Sequence, residues 1–74
     1  MYVMEIQLVL TNKFGEFKGR RAGITEENYQ KLVEMVRTFY VSGGFELTLE
    51  DETFVVFPPE VVKESILQLV KISE

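Results

Sequence analysis

Apolar and polar residues alternate through residues 2–10, and a period of two residues is typical of a β-strand with one buried face. The alternation breaks at Asn12-Lys13, where we expect a tight turn because asparagine tolerates a positive φ. Residues 14–21 then return as a second strand, which completes a β-hairpin. A two-residue turn predicts three facing pairs across this hairpin, namely Leu8–Phe17, Glu5–Arg20 and Gln7–Lys18.

An amphipathic helix is predicted over residues 25–41, where apolar residues recur every three or four positions. Thr25 is a suitable N-cap, and the two glutamates that follow it favour the positive end of the helix dipole. The helix is expected to end before Gly43-Gly44, since glycine readily adopts the left-handed conformation of a C-cap. The apolar stripe predicts that the helix buries Leu32, Val33, Val36 and Phe39.

A second hairpin is predicted over residues 45–57, with its turn at Asp51-Glu52. A two-residue turn places Leu49 opposite Phe54, and Leu47 opposite Val56. The remaining apolar residues of the returning strand, Val55 and Phe57, then lie on the outward face. Because a strand that is apolar on both sides needs cover on both sides, this register predicts a contact with another element or another chain.

The C-terminal segment allows two interpretations. Pro58-Pro59 stops the preceding strand and suits the first turn of a helix. Six of the seven apolar residues of 60–72 fall within half a turn of a helical wheel, and Leu67 lies off that face. This pattern favours a helix, but a short helix through Glu64 followed by a strand over residues 66–72 is the alternative. Either way we predict one small two-layer α+β domain over residues 1–74, with an antiparallel sheet and the order ββαββ before the C-terminal segment.

Composition excludes several kinds of chemistry. The 74 residues contain no cysteine, no histidine and no tryptophan, and Asp51 is the single aspartate. Disulfides, thiolate or histidine metal ligands, a cysteine nucleophile and a histidine base are therefore excluded. The remaining acidic residues lie at positions that the pattern predicts to be on the surface. We expect no enzymatic activity, no catalytic residues, no cofactor and no metal.

Residues near the N-terminus do not form a signal peptide, because Glu5 and Gln7 interrupt the apolar positions. No apolar run in the chain approaches the roughly 18 residues of a membrane-spanning helix. We therefore expect no membrane contact, and a cytoplasmic location.

Charge is unevenly distributed along the chain, whose formal net charge is −4. Residues 1–23 contain four basic and two acidic residues, whereas residues 24–74 contain four basic and ten acidic residues. Basic side chains neutralise phosphates and aromatic rings stack on bases, so the first hairpin predicts a nucleic-acid-binding module as an alternative function. The basic residues concerned are Lys13, Lys18, Arg20 and Arg21.

The function that the pattern favours is a small protein-interaction module that forms a homodimer and binds a protein partner. Val55 and Phe57 support this prediction because exposed apolar patches usually mark interfaces, and Val9 and Phe14 join them if they are neighbours. A chain of 74 residues without disulfides also gains stability from association. A further alternative is an acidic decoy protein of a phage or mobile element, which would occupy a basic groove with Glu46, Glu50, Asp51 and Glu52.

Overall fold

The alternating N-terminal segment forms the central strand of a four-stranded antiparallel sheet, here called the main sheet. The computed structural model describes residues 3–41 and 43–73, and the first strand, β1, extends over Val3–Asn12. The strands that flank β1 are β2 (Gly15–Lys18) and β3 (Ala22–Thr25) on one edge, and β6 (Ile66–Ser73) on the other. The predicted α+β class with antiparallel strands is confirmed.

The turn of the first hairpin lies one residue later than the sequence predicts. Asn12 pairs with Gly15, so the turn residues are Lys13 and Phe14. The Asn12 side chain explains the shift, because its Oδ1 accepts a hydrogen bond of 2.8 Å from the Phe14 N–H and so places Asn12 before the turn. Gly15 follows at a φ of 134°, a conformation that requires glycine.

The facing pairs of this hairpin change accordingly. The register moves by two residues, so Phe17 now faces Leu10 and stays on the same side of the sheet as Leu8. The predicted pairs between Glu5 and Arg20 and between Gln7 and Lys18 are wrong.

The returning strand is interrupted at Gly19, which separates β2 from β3. The Gly19 N–H donates to the Leu8 carbonyl oxygen at 2.7 Å, and Gly19 also forms a bridge with Leu49 of the second hairpin. A Cβ at this position would lie 2.9 Å from Leu47 Cδ1, so only glycine allows the second hairpin to approach this closely. The interruption is therefore the place where the two hairpins join.

Helix α1 is shorter than predicted and covers Glu26–Arg37. Thr25 is its N-cap, and its Oγ1 accepts a hydrogen bond of 3.3 Å from the Asn28 N–H. The helix ends at Thr38, whose hydroxyl and N–H both donate to carbonyl oxygens of the last turn, and a single 3₁₀ turn, Phe39–Val41, follows. The prediction that the helix buries four residues is wrong for three of them, since Leu32, Val33 and Val36 are half-buried.

The second hairpin forms a separate two-stranded sheet, here called the small sheet, from β4 (Phe45–Thr48) and β5 (Phe54–Phe57). Leu47 pairs with Val55, so the predicted register is wrong by one residue. The Leu49 N–H donates to the Thr53 carbonyl oxygen at 2.8 Å, which leaves three loop residues instead of two. The last of them, Glu52, has a φ of 73°, the left-handed conformation that such a loop requires.

The C-terminal segment forms a short helix followed by a strand, which is the second of the two predicted alternatives. Helix α2 covers Pro59–Val62, and β6 follows at Ile66 and pairs with β1 along its free edge. Ser65 fixes the change of direction, because its Oγ donates to the Val61 carbonyl oxygen at 2.6 Å and accepts from Asn12 Nδ2 at 3.2 Å. The prediction of a helix through residue 72 is therefore wrong.

The core lies between the main sheet and the small sheet. Phe17 of β2 meets the Phe57 ring edge-on at 5.1 Å between centroids, and Phe39 meets Phe45 in the same way at 4.9 Å. The buried residues of this cluster come from five different elements and are Leu10, Phe39, Leu47, Phe57 and Val62. Helix α1 packs against β3 and β6 beside this cluster.

Candidate interaction surface

The outward face of the small sheet carries two large apolar side chains. Phe54 is 60% exposed and Val56 is 59% exposed. They lie two residues apart on one strand, so their Cα atoms are about 7 Å apart on the same face. Across the hairpin Phe54 pairs with Thr48 and Val56 pairs with Glu46. We call the four residues Glu46, Thr48, Phe54 and Val56 the outer face.

The predicted oligomer interface does not lie on this surface. Phe57 is 4% exposed and belongs to the core, and Val55 packs against the same core as a half-buried residue. Val9 is buried, while Phe14 is 67% exposed at the turn of the first hairpin. The assignment of Val55 and Phe57 to an outward face is thus wrong, because an odd change in loop length exchanges the two faces of β5.

The residues that replace them were missed because the loop gives little indication of its length. A left-handed loop residue is usually glycine, whereas here it is Glu52. The sequence therefore resembles an ordinary two-residue turn at Asp51-Glu52, which sends Phe54 to the core.

Each basic residue of the predicted nucleic-acid site lies beside an acidic residue. All four basic side chains are more than half exposed, so water screens the pairs and each contributes about 0–1 kcal/mol to stability. A phosphate would nevertheless meet a carboxylate next to every cation. The pairs and their N–O distances are Lys13–Glu64 at 3.6 Å, Lys18–Glu16 at 3.9 Å, Arg20–Glu52 at 3.5 Å and Arg21–Glu50 at 3.9 Å.

A buried amide joins the main sheet to the second hairpin. Gln7 on β1 is buried, and its Nε2 donates to the Gly19 carbonyl oxygen and to Glu50 Oε2, both at 2.8 Å. In the sequence, Gln7 alternates with apolar residues, which predicts a solvent-facing position. Because its amide nitrogen donates to both hairpins, we assign it a structural role.

The acidic tip of the second hairpin is organised by local hydrogen bonds. Asp51 Oδ1 accepts from the Thr53 N–H at 3.0 Å. Hydrogen bonds from the hydroxyl and then the N–H of Thr53 lower the pKa of Asp51 below its ordinary value of 3.8. Glu50 and Glu52 face arginines, so of the four acids assigned to a decoy only Glu46 and Asp51 form no ion pair within residues 3–41 and 43–73.

An open cleft of about 300 Å³ lies beside this tip. Phe17 and Leu49 form its apolar part, and charged side chains of both signs surround them. Within this cleft Glu16 pairs with Lys18, Glu50 pairs with Arg21, and Asp51 accepts a hydrogen bond from Thr53. In the part of the chain that the structure describes, no group of three or more acidic residues is placed to hold a metal ion.

No protein-family model matches the chain, and neither a curated protein nor a solved structure is similar to it. Among residues 3–41 and 43–73, no helix is both long enough and apolar enough to cross a bilayer. Inference about function therefore depends on the chemistry of the surface.

Proposed function

We propose that the protein is a non-enzymatic protein-interaction module and that the outer face of the small sheet is its contact surface. The observation that supports this proposal is the exposure of Phe54 and Val56 side by side on a face that residues 3–41 and 43–73 leave more than half exposed at both positions. Scattered apolar residues on a surface need no explanation, but a contiguous pair on a sheet face favours a docking role. A cytoplasmic location remains a prediction.

The energy available at this face is sufficient for specific recognition. Full burial of a valine or phenylalanine contributes about 1.5–3 kcal/mol. Phe54 and Val56 already lose part of their exposure within the chain, so a partner that covers both would gain about 2–3 kcal/mol from them. The aromatic ring is the type of residue that dominates such interfaces.

Charge defines the chemistry of the partner. Residues 45–57 contain four acidic residues and no basic residue, and Glu46 lies on the outer face beside Val56. A partner surface with an apolar centre and basic residues at its rim would complement this face and be attracted to it. The ion pairs around the first hairpin disfavour nucleic-acid binding, since each of its four basic residues already has an acidic neighbour.

Photo-crosslinking in the cells that naturally make the protein tests the proposal. Phe54 and, in a separate variant, Phe14 are each replaced by p-benzoylphenylalanine, and irradiated adducts are identified by mass spectrometry. Phe14 is the matched control, because it is also a phenylalanine and is 67% exposed, at the turn of the other hairpin. We expect a discrete protein adduct from position 54 and none of the same mass from position 14.

A second change makes the experiment specific to the outer face. Val56→Glu in the chain that carries the label at position 54 should abolish the adduct, because it places a charge on the apolar contact. The absence of an adduct from position 54, or the same set of adducts from both labelled positions, would contradict the proposal.

A further inference from the structure

The C-terminal strand leaves a long edge of the main sheet unpaired. β6 contains eight residues, and one of its edges is occupied by β1. No strand within residues 3–41 and 43–73 pairs with its other edge. Ile66, at the start of this strand, is 61% exposed. An edge of this kind is a template for another strand.

The hydrogen-bond pattern shows which backbone groups lie on this edge. The Leu8 carbonyl oxygen accepts from Gly19, so the N–H and C=O of Leu8 point toward the β2 side of β1. Successive residues of a strand alternate in direction, so Val9 points toward β6, where it pairs with Gln68. Gln68 therefore points back toward β1, and the N–H and C=O of Leu67 and Leu69 point outward.

The edges of β2, β3 and β5 carry features that prevent pairing, whereas β6 is regular from residue 66 to residue 71 and shifts its register against β1 only at Ile72. The edge formed by β2 and β3 is broken at Gly19 and is partly occupied by Leu49. β5 has four residues and runs directly into Pro58, which cannot donate to a ladder. β6 contains no proline, and its one charged side chain, Lys71, lies over the Tyr29 ring at 5.0 Å. Natural sheets rarely leave such an edge exposed.

We infer that a second copy of this chain occupies the edge, so that the two β6 strands pair antiparallel and form one continuous eight-stranded sheet. The two-fold axis passes perpendicular to the sheet between Leu69 and the partner's Leu69. At this position the two leucines exchange both of their outward backbone hydrogen bonds. A perpendicular axis also keeps each face of one sheet continuous with the same face of the other.

The side chains of β6 are compatible with this self-pairing. The register places Ile66 beside the end of the partner's β6, which covers the most exposed apolar residue of the strand. Lys71 lies opposite the partner's Leu67. The two Lys71 residues are then four positions apart along the sheet, about 14 Å, which exceeds the Debye length of about 8–10 Å at physiological salt. The register brings no like charges together.

The size of the edge predicts a weak dimer. Eight residues extend over about 27 Å. The edge of a single strand of this length is smaller than the roughly 800 Å² per partner of a standard interface, so weak association is expected. This inference is independent of the proposed function, because β6 and the outer face belong to different sheets.

Sedimentation equilibrium and amide exchange test the inference on the unmodified chain. Between 10 μM and 1 mM, the average mass should rise from 8.6 kDa toward twice that value. The amide protons of Leu67 and Leu69 should become protected in parallel, at least tenfold, while those of Gln68 and Val70 should be protected at every concentration. A monomer mass at 1 mM, or a dimer in which Leu67 and Leu69 exchange as fast as in the monomer, would overturn the inference.

A charge at the start of β6 tests the position of the interface. Ile66→Lys should weaken dimerisation at least tenfold, because it replaces an exposed apolar side chain at the proposed contact by a charge. Val41→Lys, at a valine that is 82% exposed in the 3₁₀ turn after α1, is the matched control and should leave the dissociation constant unchanged.

Circular dichroism of each variant verifies that it folds. If Ile66→Lys does not fold, the exchange measurement on the unmodified chain decides. Unchanged dimerisation of a folded Ile66→Lys variant would place the interface elsewhere and overturn the inference.

Discussion

Alanine substitutions at Phe57 and Phe54 should have very different effects, although both residues belong to the same four-residue strand. Phe57 is 4% exposed, and its ring contacts that of Phe17 at 5.1 Å and that of Phe45 at 6.4 Å. Phe54 is 60% exposed on the other face of the strand. We therefore expect Phe57→Ala to be severely destabilising and Phe54→Ala to be nearly neutral.

The magnitudes follow from burial. Replacing a buried phenylalanine by alanine removes about 3–5 kcal/mol, because apolar contacts are lost and a cavity remains. A domain of this size has a free energy of unfolding of about 4–11 kcal/mol, so Phe57→Ala removes about a quarter or more of it. At Phe54, a surface position, the loss is about 0.5 kcal/mol, and β-propensity adds at most about 1 kcal/mol. The two variants should therefore differ by at least about 1.5 kcal/mol.

Urea unfolding monitored by circular dichroism measures both values. The protein should be kept at about 5 μM, so that self-association does not add to the apparent stability. Thermal midpoints provide an independent reading, since each kcal/mol corresponds to about 4–8 °C in a domain of this size. If Phe57→Ala is unfolded without urea, Phe57→Leu offers a smaller change at the same position.

The comparison distinguishes the two possible registers of the second hairpin. With a two-residue turn, Phe54 would lie in the core and Phe57 would lie outside, so the order of the two effects would be reversed. A larger loss for Phe54→Ala than for Phe57→Ala would therefore refute the three-residue loop, and with it the outer face of the small sheet.

Three further substitutions test other parts of the structure. Gly19→Ala should destabilise the domain by about 1–3 kcal/mol in urea unfolding. Its Cβ would lie 2.9 Å from Leu47 Cδ1 and 3.1 Å from the Leu8 carbonyl oxygen. A neutral result would contradict the close approach of the two hairpins. Gln7→Leu should lose about 1–3 kcal/mol in the same assay, since it leaves a buried carbonyl oxygen and a carboxylate without their donor. Asp51→Asn tests the pH dependence of stability. Because the pKa of Asp51 is lower in the folded chain than its unfolded value of about 3.8, its carboxylate stabilises the fold above pH 3.8. This stabilisation is lost as pH falls through the folded pKa. Between pH 4 and pH 2, the urea midpoint of the Asn variant should therefore fall less than that of the unmodified chain. An equal fall of both midpoints with pH would show that the hydrogen bonds from Thr53 do not favour the carboxylate.

Local periodicity was sufficient to locate most elements of the fold. The alternation in β1 and the stripe of α1 depend on neighbours within a few residues, and so does the N-cap at Thr25. The α+β class followed from these elements, because a half-apolar sheet and an amphipathic helix must cover each other. Even the end of α1 has a local cause, since the Thr38 hydroxyl competes for carbonyl oxygens of the last turn.

The C-terminal segment shows where periodicity stops being decisive. Residues 66–72 have an apolar pattern that suits one face of a helix and also suits a strand. The tertiary structure decided between them, because the second edge of β1 was unpaired and Ser65 fixed the turn before it. When a sequence pattern suits both a helix and a strand, the structural element it can pack or pair with decides which of the two forms.

The candidate surface was determined by the tertiary structure alone. One additional loop residue, held by the left-handed Glu52, exchanged the two faces of β5, so Phe57 became core and Phe54 became surface. The tertiary structure also decided the charge around the first hairpin. Glu50, Glu52 and Glu64 come from distant parts of the chain and lie beside basic side chains of this hairpin. Sequence patterns indicate which residues share a face over a few positions. Exposure and local charge depend on strand register and on residues that are distant in sequence, and only the folded chain brings these residues together.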